Sequence, residues 1–338
     1  MTTRLLPALL ALALASPVFS QTEPTAALPS PTLAADVTSQ EKVLVVGQRP
    51  GPGLWKISKG DHVLWIFGTY SPLPAKMNWR SQQVEAILAQ SQEVIGSRSA
   101  SPKIGVFKMI SLAPLAFGIT NNPDGATLKD VLPADVYARW ESMRKQYLGN
   151  KDVERERPLF VADRLYNAGL SRAGLTSKHE VDDAVWAMVK KSKVKVTGVN
   201  IEVALDDPGA ALKMFKRSPL EDVACLSKTM DRLETDIEGM KARANAWSKG
   251  DLAAIRKLDF DDSEGACRDA IMRSPAMQRA MNMDEIKARL DAAWLAAAEP
   301  ALSRNTSTFA VLSIKDLLDP KGVLATLQAK GYAVEIPD

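Results

Sequence analysis

Two runs of β-branched and aromatic residues, one near each end of the chain, constrain the fold more than any other feature. HVLWIFGT (62–69) follows LWKIS (54–58) across a short KGD turn, and STFAVLSI (307–314) lies far along the chain. Gly60 can supply the positive φ angle that the hairpin turn needs. Helical periodicity accompanies both regions. Strand, helix and strand units at the two ends predict an α/β or α+β fold with a mixed β-sheet.

A largely helical region separates these two units. The segment QEVIGS is predicted to be a return strand. Helical patterns run from about 104 to 191 and from 208 to 256, on either side of the strand VKVTGV (194–199). We therefore expect one domain over residues 41–338, with a helical insertion at about 104–280.

Residues 1–20 have the pattern of a secretory signal peptide. Arg4 precedes an apolar run at 5–15 that is too short to span a bilayer, and small residues end at Ser20. We expect cleavage after Ser20, a flexible Pro-, Ala- and Thr-rich lead over 21–40, and a periplasmic or secreted protein. The alternative is an uncleaved anchor. Since no later stretch has the apolar length of a membrane helix, we expect no transmembrane segment after cleavage.

Cys225 and Cys267 are the only two cysteines. An even number of cysteines in an exported protein favours one disulfide between them. The alternative is a thiol nucleophile or a metal ligand, but neither cysteine has a CxxC partner or a nearby histidine.

The charge pattern argues against nucleic acid as a partner. The formal net charge is only +3, and basic residues alternate with acidic ones, as in DEIKARLD, which indicates solvated helix faces. No GxGxxG follows a strand and no GKS or GKT occurs, so the phosphate-binding loops of nucleotide-binding proteins are absent from the sequence.

The segment that follows HVLWIFGT has the features of a functional site. Gly68 lets the backbone bend sharply or lets another group approach closely, and Ser71 opens the turn SPLP. Trp79, in the polar loop KMNWRS, is the tryptophan most available to bind a peptide or a sugar, whereas core packing is the expected fate of the others.

The two ends of the chain resemble the TraB/GumN family (TraB/PrgY/GumN), which includes Tiki-type proteins. The resemblance lies in GLWKISKGDHVLWIFGTYSPLPAKMNWRSQQVEAILAQSQEVI and STFAVLSIKDLLDPKGVLATLQAKGYAVEIP. Both contain parts of the family pattern: a Trp-containing hairpin, a strand ending in Gly-Thr, Leu-Pro and Trp-Arg segments, and a final Gly-Tyr-x-Val. The positions that match this structural pattern are Gly68, Thr69, Pro74, Trp79, Arg80, Gly322 and Gly331.

In that family two histidines and acidic residues are thought to form a metal-dependent hydrolytic site, and this chain resembles a divergent member in which the histidines are replaced. The resemblance puts the first histidine position on Ser71 and the second on Asp316. The other family positions fall on Gly96 or Ser97 for a carboxylate, on Asn200 with Glu202 nearby for an acid, and on Leu290 beside Asp291 for an arginine.

The chemistry of these replacements predicts a catalytically degenerate protein. A neutral serine is a poor transition-metal ligand compared with imidazole, and the only histidines, His62 and His179, lie outside the site-building segments. We expect a protein without a cofactor that binds a peptide, a glycan or an envelope protein. The alternative is a metallopeptidase-like hydrolase in the same cleft, with a divalent transition metal or an oxygen-rich site formed by Asp316, Glu202 and Asp291.

A metal-independent site is a further alternative. Lys315 could act as a base for Ser71, with Asp316 beside it, but a lysine is a base only where burial favours its neutral form. We favour a simpler interpretation, in which Ser71 caps a turn, Lys315 and Asp316 are exposed residues at a helix start, and Asp316 is the N-cap.

Overall fold

The computed structural model describes most of the chain after its N-terminal region. It covers residues 51–205, 207–217, 220–257 and 282–337. The predicted signal peptide, the lead at 21–40 and Cys267 lie outside the described residues, so signal cleavage, the lead and the Cys225–Cys267 disulfide stay predictions.

Eight strands build the β-structure of the described residues: β1 (Leu54–Lys59), β2 (His62–Thr69), β3 (Leu73–Pro74), β4 (Glu93–Pro102), β5 (Leu175–Thr176), β6 (Lys195–Val203), β7 (Ser307–Ser313) and β8 (Ala333–Glu335). Six of them form one sheet in the order β6-β4-β7-β2-β1-β8. Strands β6, β4, β7 and β2 are parallel, whereas β1 pairs antiparallel with β2 and β8. Strands β3 and β5 form a separate antiparallel pair. The mixed sheet confirms the predicted fold class.

The helices of the described residues are α1 (Gln82–Gln90), α2 (Val106–Ala116), α3 (Leu128–Val131), α4 (Ala134–Tyr147), α5 (Pro158–Arg172), α6 (Glu180–Ser192), α7 (Pro208–Arg217), α8 (Leu220–Thr235), α9 (Ile237–Lys249), α10 (Leu252–Lys257), α11 (Met283–Arg304), α12 (Ile314–Leu318) and α13 (Val323–Ala329). Helix α11 begins where the Asn282 side chain accepts a hydrogen bond from the Glu285 amide, and it packs across β2, β4 and β6.

The N-terminal hairpin has the geometry that its sequence predicts. Lys59 pairs with His62, so the turn contains only Gly60 and Asp61, and Gly60 has a φ of +63°. A side chain with a Cβ atom strongly disfavours this backbone conformation, so glycine is the residue that the turn requires.

The tryptophans fill the core beside the sheet. Trp55 and Trp294 are fully buried, in agreement with the expectation for most of them. Trp79 is also buried, with its ring centroid 5.5 Å from that of Phe67. The expectation that Trp79 is available for binding is therefore wrong, because its indole packs against the aromatic core at the end of β2.

A second apolar core lies between the helices of the middle region and contains a buried ion pair. The Arg157 Nε and Nη2 atoms bind the two carboxylate oxygens of Asp222 at 2.6 and 3.0 Å, and each side chain is only 3% exposed. The Arg157 guanidinium also stacks on Phe215. Cys225, one helical turn after Asp222, is fully buried in the same core.

Glu93 is a buried carboxylate at the start of β4, the end of the strand opposite the candidate site. Burial alone raises its pKa, but hydrogen bonds from Thr197, Lys195 and Asn305 outweigh this effect and lower the pKa from 4.5 to about 2. Lys195 Nζ and Asn305 Nδ2 donate at 2.9 and 3.1 Å. Glu93 therefore remains ionised and ties the edge strand β6 to the segment that precedes β7.

Candidate functional site

The candidate site lies where parallel strands end at a common edge of the sheet. Thr69, the last residue of β2, is aligned with Ser313, the last residue of β7. The turn that contains Ser71 and the helix start that contains Asp316 therefore follow neighbouring strands at the same edge. In sheets with parallel strands, this carboxyl edge is where ligands commonly bind.

The turn after β2 is held in place by contacts on both sides of Ser71. Tyr70 accepts a hydrogen bond from Arg243 Nε at 3.3 Å, and burial raises the pKa of the Tyr70 hydroxyl. Arg243 Nη2 also binds Asp236 at 2.5 Å. On the other side, β3 pairs with β5, so Pro74 lies in a short ladder. These contacts fix the backbone that presents Ser71.

A β-bulge brings Arg98 into the site. Ile95 pairs with Thr197 and Arg98 pairs with Val199, so two residues of β4 stand opposite one residue of β6. A bulge of this kind changes the direction of the side chains that follow it. Arg98 then forms ion pairs with Asp291 of α11, through Nη1, and with Asp316 of α12, through Nη2.

Arg98 therefore joins the two carboxylates from separate helices. The Arg98 side chain is 11% exposed, and those of Asp291 and Asp316 are 20% and 28% exposed. The planar guanidinium has five donors and can bind two carboxylates at once. The arrangement is a mostly buried ionic cluster with an arginine at its centre.

A lysine extends this cluster toward solvent. Lys287 Nζ lies 3.2 Å from Asp291 Oδ2 and 3.1 Å from Asp319 Oδ2. The backbone amide of Lys321, together with Lys287, lowers the pKa of the Asp319 carboxyl, and the partial burial of that group opposes the shift. We call the five side chains Arg98, Lys287, Asp291, Asp316 and Asp319 the Arg98 cluster. It contains three carboxylates and two cations.

Asp316 does not have the role expected at the start of α12. The N-cap is Ser313, whose hydroxyl accepts a hydrogen bond from the Asp316 amide at 3.1 Å, and the Asp316 carboxylate binds Arg98 instead. The expectation that Asp316 is the N-cap is wrong, because a serine three residues earlier satisfies the helix end. Lys315 is exposed, as expected for a residue at a helix start.

Ser71 does not cap its turn. Its Oγ atom is buried and has no hydrogen-bond partner within the part of the chain that the structure describes. The interpretation of Ser71 as a turn cap is therefore wrong. Lys315 is exposed, whereas the Ser71 hydroxyl for which it was considered as a base is buried.

Asn200 and Glu202 lie on the other face of the sheet from the Arg98 cluster. Successive side chains of a strand alternate between faces. Val199 and Ile201 are buried, whereas Asn200 hydrogen bonds Ser99 at 3.1 Å and Glu202 lies 3.4 Å from Lys103. The oxygen-rich site of Asp316, Glu202 and Asp291 considered from the sequence is therefore not assembled.

The remaining family positions lie around the cluster without joining it. Gly96 is buried beside Trp186 and Ser97 is exposed. Leu290 packs against an apolar group that contains Ile201. No carboxylate or arginine stands at these three positions.

Most of the residues that match the structural pattern of the family have packing roles. A Cβ atom on Gly68 would lie 2.6 Å from the Trp55 ring, so glycine is required there by close contact. The Thr69 hydroxyl donates to the Leu312 carbonyl at 3.4 Å. Gly322 is the N-cap of α13, and Gly331, with a φ of +84°, follows the end of that helix. Arg80 is exposed.

The donor set of the cleft does not fit a transition metal. Asp291 and Asp316 already share the positive charge of Arg98, and the neutral hydroxyl of Ser71 replaces an imidazole. The histidines lie elsewhere: His62 Nδ1 is 2.7 Å from the Asn305 carbonyl, and His179 is the N-cap residue of α6. In the described ranges no group of three His, Cys, Asp or Glu residues is close enough to hold a metal ion.

Sequence reasoning missed Arg98, although the chain carries a signal for it. Arg98 follows the family carboxylate position directly, and a charged residue in a buried strand requires an opposite charge nearby. Lys287 and Asp291 have the i, i+4 spacing of a helical ion pair. Neither pattern indicates that one arginine connects two helices.

The chain was compared with curated proteins, solved structures and protein-family models. Neither the curated proteins nor the solved structures gave a significant match. Within the described residues, no helix combines the length and the apolar character that a membrane span needs. The sequence matches the TraB/PrgY/gumN family over residues 53–336, which covers the whole sheet and the Arg98 cluster. The chain is therefore a member of the TraB/PrgY/gumN family.

Proposed function

We propose that this protein is exported to the periplasm or secreted, and that its cleft binds a peptide, a glycan or an envelope protein without catalysing a reaction. The main support for the absence of catalysis is that Arg98 binds Asp291 and Asp316, two acidic residues of the cleft that come from separate helices. The carboxylates are thus occupied by a cation that belongs to the protein.

The charge of Arg98 opposes a divalent metal at the same place. Two unit charges 4 Å apart interact by about 4 kcal/mol at an effective dielectric constant of 20, so a dication and a guanidinium repel by about 8 kcal/mol. Arginine cannot relieve this repulsion by losing its proton, because it stays protonated in proteins. Metal binding would therefore have to overcome this repulsion or displace Arg98 from the carboxylates.

The composition of the cluster favours a ligand with hydrogen-bond donors. Three carboxylates face two cations, and the exposed side of the cluster includes Asp316 and Asp319, which are each 28% exposed. A peptide amino group or a sugar hydroxyl can donate to these oxygens. Binding such a ligand requires hydrogen bonds but no catalytic step.

Metal content and hydrolysis test the absence of catalysis. The exported protein, incubated with Zn²⁺, Mn²⁺ or Co²⁺ and desalted, should retain no stoichiometric metal and should not cleave generic peptide or ester substrates. The Ser71→His, Asp316→His double variant tests whether imidazoles at the two family positions restore metal binding. Stoichiometric metal in the unmodified protein, lost on chelation together with hydrolysis, would establish the hydrolase alternative instead.

Two measurements test export and the predicted disulfide. Expression with the natural N-terminus should yield a periplasmic or secreted protein whose first residue is Gln21, and titration under denaturing conditions should find no free thiol if Cys225 and Cys267 are joined. Retention of residues 1–20, or two reactive thiols, would contradict this part of the proposal.

A serine hydrolase is the second candidate, because the Ser71 hydroxyl is buried without a partner among the described residues. A serine nucleophile needs a base within hydrogen-bond reach. The test is labelling with a fluorophosphonate probe, with Ser71→Ala as the control. Stoichiometric labelling that is lost in Ser71→Ala would favour this candidate over the binding protein.

A further inference from the structure

An exposed apolar surface lies on helix α2 and its neighbour α7, neither of which contributes a residue to the Arg98 cluster. Nine large apolar residues of the described chain are exposed, and six belong to this pair of helices and the residue after α2. The six are Val106, Phe107, Met109, Ile110, Phe117 and Met214. Phe107 is 90% exposed and Phe117 is 86% exposed. Scattered apolar residues need no explanation, but a concentration of this kind indicates a binding surface.

One side of helix α2 packs against α7, and the opposite side is exposed. A Cβ atom on Gly209 of α7 would lie 3.5 Å from Leu112 and 4.0 Å from Leu115, so these two leucines face α7. At 100° per residue, Val106 and Ile110 point to the side opposite these leucines. No residue of α2 is buried. The outward side is therefore an apolar stripe that nothing in the described chain covers.

Basic side chains border this stripe. A cavity of about 600 Å³ beside Phe117 is lined by Arg155, Lys213 and Lys216. Lys108, in contrast, lies on the side of α2 that faces α7. Lys216 Nζ donates to the Phe117 carbonyl at 2.8 Å, which places one cation at the base of this phenylalanine. Phe117 itself also borders the cavity.

The nearby carboxylates offset part of this positive charge. Hydrogen bonds from the Ala210 and Gly209 amides, together with the charges of Lys108 and Lys213, lower the pKa of the Asp207 carboxyl. Asp207 caps α7, since its Oδ1 atom accepts hydrogen bonds from the amides of Gly209 and Ala210 at 2.9 and 3.0 Å. Asp124 is the one acidic residue that lines the cavity, against three basic residues. The surface is thus apolar at its centre and positive at its border.

We propose that α2 lies flat on a membrane surface that contains anionic phospholipids, with Phe107, Ile110 and Phe117 among the acyl chains and the cations at the phosphates. A helix with an apolar face and flanking lysines has the properties of an interfacial helix. Lysines and arginines near an anionic leaflet add an attraction that a neutral leaflet does not provide. This inference concerns a surface other than the cleft and does not depend on what the cleft binds.

The experiment is co-sedimentation of the exported protein with phosphatidylcholine vesicles that either contain or lack phosphatidylglycerol. We expect binding to the anionic vesicles and at least about fivefold weaker binding to the neutral ones. The Phe107→Ser, Ile110→Ser variant should bind the anionic vesicles at least about tenfold more weakly. The matched control is Val196→Ser, Ile336→Ser, which also changes two exposed apolar residues and should bind like the unmodified protein.

Charge variants separate the electrostatic part. Arg155→Gln with Lys213→Gln should weaken binding to anionic vesicles at least about fivefold, whereas Lys190→Gln with Lys191→Gln on α6 should not. All variants share one N-terminus, so any contribution from it cancels. Circular dichroism of each variant checks folding, and Phe107→Trp supplies a second measurement through quenching of its fluorescence by brominated lipids.

Three results would overturn the proposal. The first is an unmodified protein that stays in the supernatant with anionic vesicles. The second is equal binding by the Phe107→Ser, Ile110→Ser variant and its control. The third is a dimer in solution that this variant converts to a monomer without any change in vesicle binding, because a second copy of the chain would then cover α2.

Discussion

Replacing Arg98 by methionine tests the central feature of the cleft. The change keeps most of the side-chain length and removes the charge, so Asp291 and Asp316 lose their shared partner. Breaking a fully buried ion pair costs about 3–5 kcal/mol. The three side chains are 11%, 20% and 28% exposed, and solvent therefore screens part of the effect. We expect a loss of about 2–3 kcal/mol in the free energy of unfolding, equivalent to a decrease in Tm of about 3–4 °C for a chain of this length.

The chain contains a matched control for this experiment. Arg139 also binds two carboxylates, Asp231 at 2.6 Å and Glu234 at 2.7 Å, but on the surface, where the side chains are 33%, 60% and 44% exposed. Surface ion pairs contribute about 0–1 kcal/mol. Arg139→Met should therefore lower the free energy of unfolding by less than about 1 kcal/mol.

The assay is urea unfolding followed by circular dichroism, at low and at high salt. Adding Asp316→Asn to Arg98→Met removes one of the two unpaired carboxylates and should recover part of the lost stability. Equal losses for Arg98→Met and Arg139→Met would refute the reasoning, because Arg98 would then behave as an ordinary surface residue. No recovery in the double variant would show that the loss comes from packing and not from charge.

Three further predictions concern the scaffold. Asp222→Ala removes the carboxylate that binds the buried Arg157 guanidinium and should cost about 3–5 kcal/mol in urea unfolding, and a cost below about 1 kcal/mol would contradict the buried pair. Because the pKa of Glu93 is lowered from 4.5 to about 2, the carboxylate gives about 3 kcal/mol of stability above pH 4.5, and this is lost as the pH falls toward 2. The stability difference between the unmodified protein and Glu93→Gln, measured by thermal melts, should therefore shrink below pH 4.5, and a constant difference would refute the low pKa. Gly68→Ala should cost about 1–3 kcal/mol through its contact with the Trp55 ring. Gly198→Ala, with no atom within 4 Å of the new Cβ, is the control and should cost clearly less in the same melts.

The sheet could be predicted from the sequence because its signals are local. Alternating and β-branched residues mark β1, β2 and β7, and Gly60 marks the hairpin turn. The neighbouring positions of the Ser71 turn and of Asp316 follow once β2 and β7 are parallel. Local composition and simple topology rules were sufficient for these features.

The site could not be predicted to the same extent, because it depends on side-chain direction. The extra residue between Ile95 and Arg98 shifts the register of β4, and no periodic pattern indicates a bulge. The resemblance to the family grouped Asn200 and Glu202 with the site, yet strand alternation puts them on the other face. Trp79 appeared available because its neighbours are polar, although its own ring fills the core. In each case the direction of one side chain decided the outcome.

The topology of the sheet edge explains why a cation is needed there whatever the cleft binds. Helix α12 begins directly after β7, which brings Asp316 to the carboxyl edge, and α11 packs across the sheet and brings Asp291 to the same place. Two half-buried carboxylates at one point repel each other unless a positive charge lies between them. A metal ion can supply that charge only if neutral or anionic ligands surround it. In this chain the bulge directs Arg98 to the same point, and the arginine supplies the charge without any ligand from outside the protein. The arginine thereby stabilises the fold at an edge where the imidazole ligands for a metal are missing, and this supports the proposal that the cleft binds a ligand without catalysis.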